Sequence, residues 1–194
     1  MNWKRRTLKQ LIVLLTLSLC VSPSIRGERD KPMQAFVGAG VGIPLGNVGV
    51  RWNMGLHSSI NLAISMSPGF SLEPKLSYHG FSLDRQKLTG YSGGSLHALI
   101  VGVDFRYFFP SYSPVRFFVV GGIGTAAWGT SDLKYYGQSV AGGRSESNPV
   151  FSVGWGTLLK SSESADFFIE MRYNTISASG ISINWIPITF GLRF

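Results

Sequence analysis

Apolar and polar residues alternate with a period of two along most of this chain. Such alternation predicts β-strands that have one apolar face. It marks out eight segments, at residues 34–43, 56–67, 70–81, 96–109, 116–128, 150–159, 167–176 and 181–194. Most of them span about 10–14 residues, whereas strands of globular proteins average about 5–6. A strand that crosses a bilayer needs about 9–11 residues, so these lengths favour a membrane barrel.

The connections between the segments alternate in length. Three are tight turns rich in Pro, Gly and Ser, at residues 68–69, 110–115 and 160–166. The intervening links are longer, at residues 44–55, 82–95 and 129–149, and only the last one, near 177–180, is short. Short turns at one end and long loops at the other are typical of outer-membrane barrels.

The same alternation predicts which face of each strand meets lipid. In the last segment, Phe190 and Leu192 share a large apolar face, while Gly191 and Arg193 share the opposite one. An eight-stranded barrel has an interior that side chains just fill, so we expect the small and polar face inside. A soluble ligand-binding barrel would place its apolar face inward instead. That alternative conflicts with an aromatic girdle on the apolar face and with the C-terminal Phe194.

A phenylalanine stands near the short-turn end of five segments, on the apolar face. We expect these residues to form an aromatic girdle at one membrane interface: Phe70, Phe109, Phe117, Phe167 and Phe194.

The polar face carries charges of both signs, most of them two residues apart on one strand. The pairs are Glu73/Lys75, Asp104/Arg106 and Glu170/Arg172, and Arg193 adds a fourth cation. Isolated buried charges are costly. We therefore predict that these seven side chains neutralise one another in a narrow lumen.

The N-terminus has the pattern of a secretory signal peptide. Four basic residues lie within the first ten, and residues 11–21 form an apolar run. That run is shorter than the roughly 20 residues that a spanning helix needs. We predict a signal peptide at 1–24, a short leader at 25–32 and a single barrel domain at 33–194. Lipidation of Cys20 is disfavoured, because Leu19 stands where a lipidation motif has a small residue.

Composition excludes several other classes. The chain has 194 residues, of which 44% are hydrophobic and 14% charged, with 24 glycines and one cysteine. Disorder needs lower hydrophobicity, a disulfide scaffold needs more cysteines, and this much glycine disfavours a helical bundle. Loss of residues 1–24 lowers the net charge from +8 to +4. The remaining basic residues are scattered, so we expect no nucleic-acid partner.

Candidate catalytic and metal-binding residues are sparse. The histidines are His57, His79 and His97, and they lack the spacing of a metal site. Ser95 and His97 share a face, but the sequence puts no carboxylate beside them to complete a catalytic set. Each lumen carboxylate has a cation two residues further on, which favours a structural role over acid–base catalysis. We expect no enzymatic activity and no cofactor.

The end of the chain reads Ile-Thr-Phe-Gly-Leu-Arg-Phe, and it resembles the signal that assembly machinery reads in bacterial outer-membrane proteins. The matching residues are Ile188, Phe190, Leu192 and Phe194. Three segments are similar to the small OmpA/OmpX-like outer-membrane β-barrel superfamily. They are the glycine-rich first segment, Phe-Phe-Val-Val-Gly-Gly-Ile-Gly in the fifth segment and Ile-Glu-Met-Arg-Tyr-Asn in the seventh.

This resemblance implies an all-β fold, an eight-stranded antiparallel up-and-down barrel with short periplasmic turns and longer extracellular loops. It also implies export to the bacterial outer membrane, with outer-membrane lipid and the barrel-assembly machinery as partners. The superfamily includes adhesins, anchors, channels and enzymes, so the fold does not select a function. We expect a monomer with a structural or surface-interaction role, whose extracellular partner binds loop 129–149. The alternative is a narrow channel for water, ions or small solutes.

Overall fold

Eight long antiparallel strands close into a barrel in the computed structural model, which describes residues 32–110, 114–161, 164–178 and 180–194. Within these ranges the strands are β1 (Met33–Leu45), β2 (Gly55–Ser67), β3 (Phe70–Phe81), β4 (Tyr91–Gly93), β5 (Leu96–Phe108), β6 (Val115–Thr130), β7 (Leu133–Tyr135), β8 (Gln138–Ala141), β9 (Arg144–Lys160), β10 (Asp166–Ala178) and β11 (Ile181–Arg193). The order around the barrel is β1–β11–β10–β9–β6–β5–β3–β2. The predicted eight-stranded fold is confirmed.

The first and last strands close the barrel. β1 pairs with β11 from Phe36↔Arg193 to Leu45↔Asn184. Beyond this register, the N–H of Phe194 donates to the carbonyl of Ala35 at 2.9 Å, and the N–H of Ala35 donates back at 3.2 Å. Closure satisfies the backbone groups that would otherwise face lipid along an open edge.

Side chains alternate between the lumen and the outer surface as the sequence predicts. Along β5, Ile100 and Arg106 are buried inside, whereas Leu99, Val101 and Phe105 are exposed outside. The exposed face is therefore the large apolar one, which is the arrangement of a barrel surrounded by lipid.

The two ends of the barrel differ as predicted. At the turn end, β2 and β3 are joined by residues 68–69 alone, and Gly69 adopts a φ of +80° that suits this tight turn. At the loop end, the helix α1 (Gly46–Arg51) lies between β1 and β2. The strands β4, β7 and β8 form a separate three-stranded sheet in the order β4–β7–β8.

The predicted loop at 129–149 contains more strand than the sequence suggests. β6 and β9 remain paired as far as Thr130↔Arg144, so β9 begins six residues before the predicted start at 150. The hairpin of β7 and β8 fills most of the remainder. Both faces of this extension are largely exposed, so no apolar alternation is required there and the periodic signal is missing. The predicted link 44–55 likewise contains α1.

Residues Pro32–Phe194 form one compact unit. The predicted signal peptide at 1–24, Cys20 and leader residues 25–31 lie outside the described residues, and their processing stays a prediction. Among the described residues, no helix combines the length and the hydropathy that crossing a bilayer requires.

Candidate functional site

Six of the seven predicted lumen charges meet in the middle of the barrel. They come from three strands: β3 supplies Glu73 and Lys75, β5 supplies Asp104 and Arg106, and β10 supplies Glu170 and Arg172. The side chains of Glu73 and Asp104 are completely buried. With three charges of each sign, these six residues, hereafter the charge network, are neutral as a group.

Arg106 is the most enclosed cation of the charge network. Its Nε donates to Glu73 Oε1 at 2.8 Å and its Nη2 donates to Glu73 Oε2 at 2.9 Å. Nη2 also lies 3.1 Å from Glu170 Oε2, an ion-pair contact. The rings of Phe36 and Phe118 each lie 4.2 Å from the guanidinium carbon. The guanidinium is thus held by carboxylates and by cation–π contacts with these two rings.

Asp104 connects the other two cations. Lys75 Nζ lies 2.9 Å from Asp104 Oδ1, and Arg172 Nη1 donates to Asp104 Oδ2. Arg172 also pairs with Glu170 on its own strand. Asn61 Nδ2 lies 3.2 Å from both Glu73 Oε2 and Asp104 Oδ2. This amide lies between two carboxylates that the β3–β5 register sets directly opposite each other.

Most pairs in the charge network therefore cross between strands. The sequence interpretation paired charges two residues apart, but only Glu170 and Arg172 contact each other in that way. Residues two apart on a strand are separated by about 6.8 Å of rise, whereas directly paired residues on adjacent strands have Cβ atoms about 4.5–5.5 Å apart. Cross-strand contacts are shorter for that reason, and they depend on a register that the sequence does not state.

Arg193 lies apart from the charge network. Its Nε donates to Asp166 Oδ2 at 3.0 Å, and its Nη1 donates to Gln34 Oε1 at 3.3 Å. Thr189 is the β11 residue paired with Glu170, so Arg193 lies four residues nearer the turn end. Its partner Asp166 falls within a turn in the sequence interpretation and was missed for that reason.

Apolar side chains close the lumen on both sides of the charge network, a feature that the sequence interpretation of a small and polar lumen missed. The turn-end cluster comprises Phe36, Ala63, Phe108, Phe118, Val120, Leu158 and Phe168. The loop-end cluster comprises Val48, Phe81, Leu96, Ala98, Ile100, Ala126, Trp128, Val150, Ile176, Ile183 and Trp185. The charges are thus separated from bulk water by a packed apolar layer at each end.

Two stacked histidines lie next to the loop-end cluster. The rings of His57 and His79 are 5.1 Å apart and nearly parallel. Trp185 Nε1 donates to His79 Nδ1 at 3.2 Å, and Thr189 Oγ1 lies 3.1 Å from His57 Nε2. The cavity beside Lys75 has about the size of one water molecule. This cavity is therefore too small for a solute larger than water.

The described residues contain no group of three or more His, Cys, Asp or Glu side chains placed to hold a metal ion. The pairing of Ser95 with His97 that the sequence allowed is not formed. Instead, His97 Nδ1 lies 2.6 Å from the hydroxyl of Tyr78 on the outer surface.

The predicted girdle residues lie at the turn end, on the outer surface. Phe109, Phe117 and Phe194 are exposed, and Phe70 and Phe167 are half-buried. Tyr107 extends the same aromatic surface, because it is paired with Phe70 and contacts Phe109 edge to face. Of the predicted assembly residues, Phe190, Leu192 and Phe194 are exposed and Ile188 is half-buried on the same outer face.

A tyrosine cluster occupies the three-stranded sheet at the loop end. Tyr91 and Tyr135 are 4.8 Å apart, and Tyr135 and Tyr136 are 4.6 Å apart, measured between ring centroids. Tyr136 and Gly137 form the two-residue turn between β7 and β8, and both have a positive φ. Asn or Gly is favoured at the first position of such a turn. Tyr136 is nevertheless there and 74% exposed.

Asp84 organises the loop that follows β3. Its Oδ1 accepts hydrogen bonds from the backbone N–H groups of Gln86 at 3.0 Å and Lys87 at 3.3 Å. Its own N–H donates to the carbonyl of Arg51 in α1 at 2.8 Å. Desolvation alone raises the pKa of Asp84, but the hydrogen bonds and the charge of Lys87 outweigh it and hold the pKa below its ordinary value. Asp84 is therefore ionised and already paired at neutral pH.

No protein-family model matches this chain, and no curated protein sequence matches it. Solved structures do resemble it. Neisserial surface protein A aligns with a TM-score of 0.64 at 12% identity, over 84% of this chain and 96% of that one. A major outer membrane protein of Thermus thermophilus gives 0.57 at 11% identity, over 84% and 99%. OprG of Pseudomonas aeruginosa gives 0.53 at 11% identity, over 85% and 96%.

The chain thus has the fold of the small eight-stranded outer-membrane β-barrels, the architecture of the OmpA/OmpX-like proteins that its sequence resembles. At these identities the likeness concerns the fold alone.

Proposed function

We propose that this protein is an integral barrel of the bacterial outer membrane whose lumen is closed, and that it acts through the structures at its loop end. The large apolar side chains of its outer surface, the girdle at the turn end and the fold of its structural neighbours support the membrane location. The C-terminal strand, with Phe190, Leu192 and Phe194 on its outer face, is the segment offered to the assembly machinery.

The contacts of Arg106 are the main support for a closed lumen. Its guanidinium contacts both Glu73 and Glu170 and lies between the rings of Phe36 and Phe118. Removing one partner of such a buried group leaves an unpaired charge, which costs about 3–5 kcal/mol. Transient opening at this level is therefore rare, and permeation of solutes is not the main role.

The loop end supplies the surface for interaction. Within loop 129–149, the β7–β8 hairpin exposes Tyr135, Tyr136 and Val140 to solvent. Exposed aromatic and apolar side chains of this kind are enriched where proteins contact partners. An extracellular partner that meets this hairpin is the expected ligand.

Conductance in a planar bilayer tests the closed lumen. The refolded protein is first verified by the heat-dependent shift of a folded barrel on a gel. We expect the wild type to be silent under conditions where an established porin conducts. The Glu73→Ala/Arg106→Ala double variant removes one charge of each sign, and openings of this variant alone would show that the charge network contributes to closure in addition to the apolar clusters. Reproducible openings of the wild type would overturn the closed lumen and establish the narrow channel instead.

Binding of the outer surface of intact cells to candidate partners tests the loop end. The Tyr135→Ser/Tyr136→Ser double variant changes only side chains exposed on the hairpin. A partner captured by the wild type should be lost with this variant while the amount of folded barrel stays the same. Equal capture would place the interaction elsewhere.

A further inference from the structure

Tyr78 and His97 form a polar pair on the largely apolar outer surface of the barrel. Tyr78 lies on β3 and His97 lies near the loop end of β5, diagonally across from it, because the register pairs Tyr78 with Leu99 and Gly80 with His97. The Tyr78 hydroxyl is 2.6 Å from His97 Nδ1, and the two rings are stacked with centroids 6.0 Å apart. Tyr78 is 45% exposed, and the His97 side chain is also exposed.

The pair retains a hydrogen-bond donor that the protein does not use. If the hydroxyl of Tyr78 donates to His97 Nδ1, the neutral imidazole carries its hydrogen on Nε2. If Nδ1–H donates instead, the hydroxyl hydrogen is left over. Across the described part of the chain, neither side chain makes a further polar contact. Because both side chains are exposed, this donor is available to an acceptor from the surroundings.

The position of the pair along the barrel indicates which acceptor is near. His97 lies ten residues from Tyr107, which is paired with Phe70 of the girdle. At about 3.4 Å per residue and a strand tilt of about 40°, this separation is about 26 Å along the barrel axis. The apolar band of such barrels is about 25 Å tall. His97 is therefore at the level of the lipid headgroups at the loop end.

The surroundings of the pair suit an amphiphile. Gly80 leaves a shallow notch beside the pair, because it has no side chain and a Cβ there would be in van der Waals contact, 3.5 Å from both His97 Nδ1 and the Tyr78 hydroxyl. Leu56 is paired with Gly80 and is 73% exposed, so it offers an apolar contact beside the notch.

The adjoining loops are basic. Arg51 and Arg85 are both exposed, in the segments that join β1 to β2 and β3 to β4, and backbone bonds hold these segments together. The nearby carboxylate, Asp84, is already paired with Lys87. The potential above the notch therefore favours an anionic headgroup.

We propose that Tyr78, His97 and the notch at Gly80 bind the phosphate group of a lipid in the leaflet at the loop end. The unused hydrogen of the pair donates to a phosphate oxygen, and Leu56 contacts an acyl chain. Arg51 and Arg85 contribute the positive potential. This site rests on the proposed membrane location, and it is independent of whether the lumen conducts.

Native mass spectrometry of the refolded protein in detergent tests the site. The probe is a bacterial glycolipid that carries two phosphate monoesters on an acylated disaccharide, compared with the same glycolipid after enzymatic dephosphorylation. We expect the wild type to retain one phosphorylated molecule and to bind the dephosphorylated one more weakly. Hydrogen bonds to charged groups are strong enough that His97→Leu should weaken retention about tenfold or more.

Two further variants separate the site from general adhesion of lipid. Gly80→Leu fills the notch without removing either Tyr78 or His97, and it should weaken retention as well. Tyr173→Phe removes the hydroxyl of an exposed tyrosine on β10, across the barrel from β3, and should change nothing. Equal retention of both glycolipids by the wild type would overturn the proposal. So would wild-type retention by both His97→Leu and Gly80→Leu.

The heat-dependent gel shift, recorded for every variant, reports separately whether a membrane barrel has formed. Loss of the shift in the wild type would contradict the proposed membrane barrel itself. A normal shift without phosphate-dependent retention would contradict the lipid site alone.

Discussion

Glu73 of β3 and Arg106 of β5 are joined by two hydrogen bonds deep inside the lumen: Arg106 Nε donates to Glu73 Oε1 at 2.8 Å, and Arg106 Nη2 donates to Glu73 Oε2 at 2.9 Å. Two-point contacts between arginine and carboxylate fix the orientation of both groups. Because both side chains are almost completely buried, neither charge can turn to water if the other is removed.

Arg106→Leu should lower the free energy of unfolding by about 3–5 kcal/mol, because it leaves Glu73 and Glu170 without their shared cation. Tryptophan fluorescence during urea unfolding from lipid vesicles measures the change. Arg144→Leu is the matched control, since Arg144 forms an exposed pair with Glu146 and should cost less than about 1 kcal/mol. Equal effects at the two sites would show that the charge network does not stabilise the barrel.

Two neighbouring glycines on β6 test the assignment of the faces. A Cβ at Gly122 would lie 2.0 Å from Asp104 Oδ1, whereas at Gly121 the nearest atom would be 3.9 Å away. Gly122→Ala should destabilise the barrel by about 1–3 kcal/mol through overpacking. Gly121→Ala should leave the stability unchanged or raise it by up to about 1 kcal/mol. The same unfolding experiment applies, and a reversed order of the two variants would contradict the assignment.

The outer surface offers a second matched pair of variants. Val101 on β5 and Val140 on β8 are 56% and 55% exposed, but we expect only Val101 to face lipid. Lysine at the middle of the apolar band costs about 2–4 kcal/mol. Val101→Lys should therefore destabilise the protein in vesicles by that amount, and Val140→Lys should have little effect. If both variants unfold as the wild type does, the surface around Val101 does not meet hydrocarbon.

A substitution of the last residue, Phe194, tests assembly in the membrane separately from folding. The backbone of Phe194 bonds to Ala35 in both directions, so deleting the residue would also weaken closure of the barrel. Phe194→Ala keeps these bonds and removes only the exposed ring. We expect unchanged refolding in detergent but several-fold less heat-modifiable protein in the outer membrane of expressing cells. Normal amounts in the membrane would argue against a role of this ring in assembly.

The fold was predictable because it depends on the alternation of apolar and polar residues that are close together in the sequence. Alternation along a strand decides which residues point inward, and it assigned Glu73, Asp104, Arg106 and Glu170 to the lumen from the chain alone. Turn residues such as Pro68 and Gly69 set the connections in the same local way.

The contacts inside the lumen were not predictable from the same pattern. They depend on which residues meet across strands, as when Asn61 of β2 lies between Glu73 and Asp104. The Tyr78–His97 pair depends on the β3–β5 register as well. The extension of β6 and β9 beyond the barrel was missed because a strand exposed on both faces needs no apolar alternation.

Closure of the barrel through β1 and β11 also determines where a strand of another chain could pair with this protein. Within the described residues, the barrel offers no unpaired strand edge at the level of the membrane. Free edges occur at the loop end, among them β4, β8 and the part of β9 before Val150, where pairing with β10 begins. The free part of β9 carries two charged residues, Arg144 and Glu146, and ends with Pro149, and such residues oppose the addition of a further strand. Unwanted strand exchange between copies would therefore begin in water, at the β4–β7–β8 sheet, and not within the lipid.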